Sequence, residues 1–263
     1  MGADAVFEAA RSIAAARRSR MPVAALPGHL QPENEAAGYE IQRAVREQLT
    51  AEQGGFVGYK IGCTSKVMQD YLQIPHPCAG SVFARGVHAS GANLRASDFL
   101  RVGVECEIAV RLERDLPASA APFTPDAVAA AVDACMPAIE IVDDRYVQWE
   151  TLGAPTLIAD DFFAAGCVLG APVARTALPD LATVKGRAVI NGEGVGQGTG
   201  ADVLGHPFQA LAWLANHLST EDHALQAGQL VLTGSLVKTI WLTPGDQVVM
   251  ELDELGRVEA KFD

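Results

Sequence analysis

Glu140 stands in the run Ala138-Ile139-Glu140-Ile141-Val142, with apolar neighbours on both sides and at both i±2 positions. A run of that kind reads as a strand buried on both faces. A polar group left unpartnered there costs roughly 2–7 kcal/mol, and an ionised carboxylate more. Any fold open to this chain must therefore bring a cation, a proton or a metal ion to residue 140. Arg145, close by in sequence, is the purely structural solution.

A second acidic feature points elsewhere. Val102–Leu112 alternates like a strand, with Val104, Cys106, Ile108, Val110 and Leu112 on one face. Glu105 and Glu107 then project together from the other. Two carboxylates side by side repel unless a cation lies between them. Taken alone, a solvated polar face is the commoner explanation. With Glu140 as a third donor, the set becomes an all-oxygen site suited to Mg²⁺ or Mn²⁺, with water or substrate completing the shell.

Lys60 is the other displaced charge. It lies in Phe56-Val57-Gly58-Tyr59-Lys60-Ile61-Gly62, otherwise uncharged, with Gly58 and Gly62 at i−2 and i+2 on its own face. Glycines there allow a close approach to the ammonium, although a snorkelling edge-strand lysine fits the pattern equally. Beside a divalent cation a buried lysine is pushed towards a lower pKa, which suits acid–base work. Gly196-x-Gly198-x-x-Ala201 resembles a dinucleotide fingerprint, but the next helix starts too late, near Pro207, and a hairpin is expected instead. The histidines show no metal-ligand spacing, and His206 reads as a helix-entry residue that also borders the site.

A formal charge of −12 and a pI near 4.9, with no Lys/Arg stripe, argue against nucleic-acid binding. An anionic substrate would need a local cation. Five cysteines without a C-x-x-C pair indicate reduced thiols and a cytoplasmic protein. No apolar run is long enough for a membrane span, and Asp4 and Glu8 interrupt any secretory h-region.

Helices are expected over 3–20 and 35–52, a short helix capped by Thr64 or Ser65, an Ala-rich helix over 125–135, and a helix from Pro207 to Leu218. Strands are expected at 56–62, 102–112, 138–142, 187–191 and, at the end, 229–233, 247–252 and 257–262. The pattern predicts an α+β chain: an N-terminal helical segment, 1–54, and a β-rich catalytic domain, 55–263.

Tyr59-Lys60-Ile61-Gly62-Cys63-Thr64-Ser65, Val104-Glu105-Cys106-Glu107-Ile108-Ala109, Ala138–Asp143, Leu204-Gly205-His206-Pro207 and Thr233-Gly234-Ser235 occur in that order. Together they resemble the 2-keto-4-pentenoate hydratase family, which includes the 4-oxalocrotonate decarboxylases, within the fumarylacetoacetate hydrolase superfamily. The resemblance implies a mixed β-roll or barrel-like fold and a homo-oligomer acting on a small 2-oxo acid, by hydration, decarboxylation or acylpyruvate cleavage; the alternative of another class is a 2-oxo-acid-binding protein without turnover. It also implies Mg²⁺ or Mn²⁺ on Glu105, Glu107 and Glu140, and a functional Lys60. Gly62, Thr64, Ser65, Asp160, His206 and Ser235 are the substrate-binding positions it implies. Two blocks depart from the family. An expected Pro-Asp-aromatic-Gly reads Pro77-Cys78-Ala79-Gly80, losing the acid and leaving more room, and an expected Asp-Asn reads Asp160-Asp161.

Overall fold

The computed structural model describes all 263 residues. Two helices open the chain, α1 (Ala3–Ser19) and α2 (Glu35–Thr50), followed by β1 (Phe56–Gly62), α3 (Lys66–Leu72) and β2 (Cys78–Phe83). Next come β3 (Val87–Ala89), β4 (Ala92–Leu94), β5 (Val102–Leu112), α4 (Pro125–Ala129), β6 (Val132–Asp143) and α5 (Gly153–Ala159). The remainder is β7 (Ala164–Leu169), β8 (Val173–Ala174), β9 (Lys185–Ile190), β10 (Glu193–Thr199), α6 (Pro207–Ser219), β11 (Leu230–Ser235), β12 (Ile240–Trp241), β13 (Asp246–Leu252) and β14 (Gly256–Phe262).

The strands make two open mixed sheets, not a closed barrel. A nine-stranded sheet runs β2-β1-β11-β5-β6-β7-β3, with β12 beside β5 and β8 beside β6. A five-stranded sheet runs β10-β9-β13-β14-β4. The glycine fingerprint lies in the β9–β10 hairpin, whose turn residues Asn191 and Gly192 both have positive φ. No helix is long and apolar enough to cross a membrane.

The α+β expectation holds, and most boundaries fall within a residue or two. One element differs in kind. The helix expected over 125–135 stops at Ala129, and the strand expected at 138–142 begins already at Val132. Alanine favours helix locally, but β5 offers an antiparallel partner from Val102 to Leu112, and Val132 and Cys135 become fully buried in that pairing. Tertiary pairing outweighs a propensity worth tenths of a kcal/mol per residue.

The N-terminal helices share a small core: Ala9, Ile13 and Ala14 against Ile41, Val45 and Leu49, reaching Ala159 of α5. They are also keyed to the sheet. The Gln42 amide donates to the carbonyls of Ala79 in β2 and Ile158 in α5, both at 2.8 Å. Gly38 lets α2 approach α5 so closely that a Cβ there would sit 2.5 Å from the Pro155 carbonyl oxygen. Gly38→Ala would gain up to about 1 kcal/mol in helix propensity, against roughly 1–3 kcal/mol of overpacking. The thermal midpoint of G38A is expected below wild type; a higher one would mean that α2 is free to slide away from α5.

Candidate metal centre and substrate pocket

Strand register assembles the acidic cluster. In the β5–β6 pair Glu105 lies directly opposite Glu140, and Glu107 follows two residues along the same face, opposite Ala138. One carboxylate oxygen from each lies within 4.8 Å of the others. Like charges placed opposite each other destabilise a sheet, so this register needs a cation. Lys60 supplies one from β1, with β11 and β5 lying between it and β6: its Nζ is 2.8 Å from Oε1 of Glu140. Lys60, Glu107 and Glu140 are 3%, 0% and 1% exposed and Glu105 is half-buried, so Glu107 at least does not belong to a solvated face.

Two neighbours orient the carboxylates. Register breaks in β11 between Leu232 and Ser235, where Gly234 adopts φ 122°. That irregularity turns the Gly234 N–H onto Glu107 Oε2 at 2.9 Å. Thr239 donates its hydroxyl to Glu105 Oε1. Glu107 Oε1 and Glu140 Oε2 remain buried with no hydrogen-bond partner. Three clustered carboxylates against one ammonium, with buried oxygens lacking any hydrogen-bond partner, fit a hard divalent cation such as Mg²⁺ or Mn²⁺.

The electrostatics carry the same strain. Burial, then Glu140, pushes the Glu105 carboxyl up to about 6. Glu107 is driven well above the usual carboxylate range by burial, then by Glu140 and Glu105. Burial by itself would lower the Lys60 pKa, but Glu140 and then Glu105 outweigh it and raise it. The lowered lysine expected from sequence is thus not what the protein alone provides, because its neighbours are carboxylates and not a cation.

Lys60 and Glu105 also line a cavity of about 270 Å³ whose other walls include the rings of Trp149, Phe162, Phe163 and Trp241. Phe162 and Phe163 arrive by an unusual route. Asp161, Phe162 and Phe163 are three consecutive non-glycine residues at positive φ, 56°, 49° and 67°. A left-handed residue costs roughly 1–2 kcal/mol, so this turn must be held from outside. Asp160 and Asp161, both fully buried, are gripped by Arg17 of α1 at 2.5 and 3.0 Å. Arg145 binds Asp160 from the other side at 3.1 Å and the Ala164 carbonyl at 2.8 Å. The Ser81 N–H donates to Asp161 at 2.8 Å. Burial opposes ionisation of Asp160, but Arg145 and Arg17 hold its carboxyl below the usual range.

Of the substrate-binding positions implied by resemblance, Gly62 lines the cavity; a Cβ there would lie 3.4 Å from both Lys60 Nζ and the Phe162 ring. The other five do not line it. Thr64 packs against Gly234, Ser65 caps α3, and His206 caps α6 by accepting from the Phe208 N–H. Ser235 donates to the Val237 carbonyl, and Asp160 is spent on the two arginines. Arg145 is accordingly not the partner of Glu140. Gly58 serves the β1–β11 contact, since a Cβ there would strike the Leu230 carbonyl. Nor does the Cys78–Ala79 block open space: both residues are buried, with Tyr39 and Gln42 of α2 bonded to the Ala79 backbone. The aromatic walls escaped the sequence reading because no glycine marks the left-handed turn that delivers them.

Comparison with known proteins gives a consistent picture. A family model described as fumarylacetoacetate (FAA) hydrolase, C-terminal, matches residues 63–263. A 2-keto-4-pentenoate hydratase of Paraburkholderia xenovorans (strain LB400) is 33% identical over 257 residues, 97% of this chain and 94% of that one. A 2-hydroxyhexa-2,4-dienoate hydratase of Comamonas testosteroni is 34% identical over 208 residues, 78% of each. The solved 4-oxalocrotonate decarboxylase of Pseudomonas putida G7, complexed with magnesium and adipate, superposes with a TM-score of 0.94 at 26% identity, covering 100% of this chain and 99% of that one.

A raised carboxyl pKa favours the folded state only while the group is protonated. For Glu105 that stabilisation is complete below the free value of about 4.3 and is lost as pH climbs through about 6. A bound divalent cation cancels the loss. The Mg²⁺-induced rise in thermal midpoint of chelator-treated protein is therefore expected to be larger at about pH 8 than at about pH 5. An equal or larger rise at the lower pH would show that these carboxylates are not the ligands.

Proposed function

This chain belongs to the fumarylacetoacetate hydrolase family, and within it we propose a divalent-metal-dependent hydro-lyase that hydrates a short 2-hydroxydienoic acid such as 2-hydroxypenta-2,4-dienoate. One observation carries the reading: two buried carboxylates, a third half-buried one and one ammonium meet beside a ring-lined cavity, in a chain that aligns almost end to end with hydratases. Glu105, Glu107 and Glu140 are the proposed ligands of Mg²⁺ or Mn²⁺.

When bound there, the cation supplies Lewis-acid stabilisation of negative charge on the substrate's carboxylate and 2-oxygen. The remaining work falls to the chain. Lys60 is protonated at rest beside Glu140 and is the cavity's ammonium, so it holds an anionic oxygen and passes to the carbon chain a proton that it regains from the 2-hydroxyl. Gly62 leaves space beside Nζ for the substrate. The rings of Trp149, Phe162, Phe163 and Trp241 exclude bulk water from the unsaturated tail. In this scheme the dienol loses its 2-hydroxyl proton and is protonated at C5. Water then adds across the conjugated double bond, oxygen to C4 and hydrogen to C3.

The cavity also bears on the choice between hydration and decarboxylation. A 4-oxalocrotonate-type diacid brings a second carboxylate, yet Lys60 is the one cationic residue lining the cavity. Arg101, stacked 4.2 Å from Trp241, is already paired with Asp144 at 3.2 Å. A monoacid with an apolar tail suits these walls better.

Oxalate imitates the enolised 2-oxo acid. Its calorimetric binding is expected to require both Mg²⁺ and Glu140, and to vanish in Glu140→Ala. With 2-hydroxypenta-2,4-dienoate, followed by loss of dienol absorbance, Glu107→Gln should abolish metal-dependent turnover and Lys60→Ala should lower kcat by roughly 10²–10⁴. Full activity in E107Q, or oxalate binding indifferent to metal, would end the proposal.

A further inference from the structure

Arg17 belongs to the last turn of α1, far in sequence from every cavity residue, yet its guanidinium spans two buried aspartates that begin the left-handed turn. The turn leaves no slack. A Cβ on Gly80 would lie 2.6 Å from the Asp161 carbonyl oxygen and 3.2 Å from Lys60 Cγ, so the Asp161 backbone rests against the strand that faces Lys60. From the same turn the Phe162 ring reaches the Lys60 ammonium, 5.9 Å from centroid to Nζ, and the Phe163 ring stands edge-on to Trp149 at 5.7 Å. Left-handed backbone in bulky residues relaxes when its restraints are removed. Here the restraints are ionic and come from opposite sides: Arg17 on Asp160 and Asp161, Arg145 on Asp160 and on the carbonyls of Phe163 and Ala164.

We propose that Arg17 is a positioning residue for substrate selectivity: its two-pronged grip on Asp160 and Asp161 holds the Phe162–Phe163 wall against which the carbon tail of the substrate packs. Arg17 does not face the ring-lined cavity; it borders a separate cavity of about 170 Å³ with Arg145, Lys60 and Glu140. Its effect is confined to the tail end of the ligand, while the carboxylate end is set by the cation that the glutamates would hold. Lysine cannot substitute fully, because a point charge does not reproduce the fork that engages both aspartates. The proposal rests on the 2-oxo-acid reading of the cavity and assigns its tail-binding wall.

The test compares two ligands on Mg²⁺-loaded protein by calorimetry. Oxalate reads the metal end only; 2-oxopentanoate adds a tail. Arg17→Met is expected to weaken 2-oxopentanoate roughly tenfold, the lower end of what a methylene-scale change in an apolar pocket produces, while oxalate affinity stays within about twofold of wild type. Phe162→Ala should give the same selective loss. R17M/F162A should be no worse than F162A, because Arg17 acts through that ring. If R17M alone is insoluble, R17M/D161N removes both charges of that arm and carries the same expectation. Equal losses for both ligands, unchanged selectivity, or additive losses in the double variant would overturn the positioning role while leaving the cavity assignment intact. Failure of wild type to bind either acid would overturn both.

Discussion

Three carboxylates share one buried face of a sheet with a single ammonium, and much of the surrounding architecture follows from that imbalance. Glu105, Glu107 and Glu140 cannot all ionise beside one another in a low-dielectric interior without a counter-charge. Lys60 meets part of the demand and raises its own pKa in doing so. The Gly234 amide and the Thr239 hydroxyl meet a further part by orienting two of the carboxylates. What remains is a pair of buried oxygens with nothing to bond. Such a residue of unmet charge is unfavourable in a purely structural site and appropriate in one that binds a cation.

The same need explains the less regular parts of the fold. Glu140 must sit in the middle of the nine-stranded sheet to meet Glu105, so β6 extends through Pro137 and past the helix its own alanines favour. Lys60 reaches the cluster only because β11 lies between β1 and β5, an order that joins segments distant along the chain. The irregularity at Gly234 breaks the ladder where the free N–H is needed.

A second ionic system, distinct in purpose, lies beside the first. Arg17, Arg145, Asp160 and Asp161 balance two positive against two negative charges, and they end with their hydrogen bonds satisfied. A buried network of this kind is weak evidence of stability but strong evidence of a defined geometry, since removing any one partner strands the others. The geometry it defines is a turn that bulky residues would otherwise avoid, with two rings from that turn in the wall of the cavity. Through Arg17 the N-terminal helices take part in that wall as well as covering one side of the sheet.

Sequence periodicity by itself determined the α+β class, the limits of most of the longer strands and helices, and the four charged residues of the cluster, but not the shorter elements such as β2, β7 and α5. It did so because a charge inside an apolar run is costly wherever the run ends up, and that cost is visible without coordinates. The partner of each charge was decided only in three dimensions. Arg145 looked suited to Glu140 by proximity along the chain, but register gave Glu140 to Lys60 and left Arg145 to Asp160. Ser65 and His206 carry family-like blocks, yet locally they cap helices, a role that proximity to a motif does not reveal. The aromatic wall was the least legible part. Phe162 and Phe163 reach the cavity through left-handed backbone that no local preference predicts, and ion pairs to Arg17 of α1 and to Arg145, just after β6, are what make that backbone tenable.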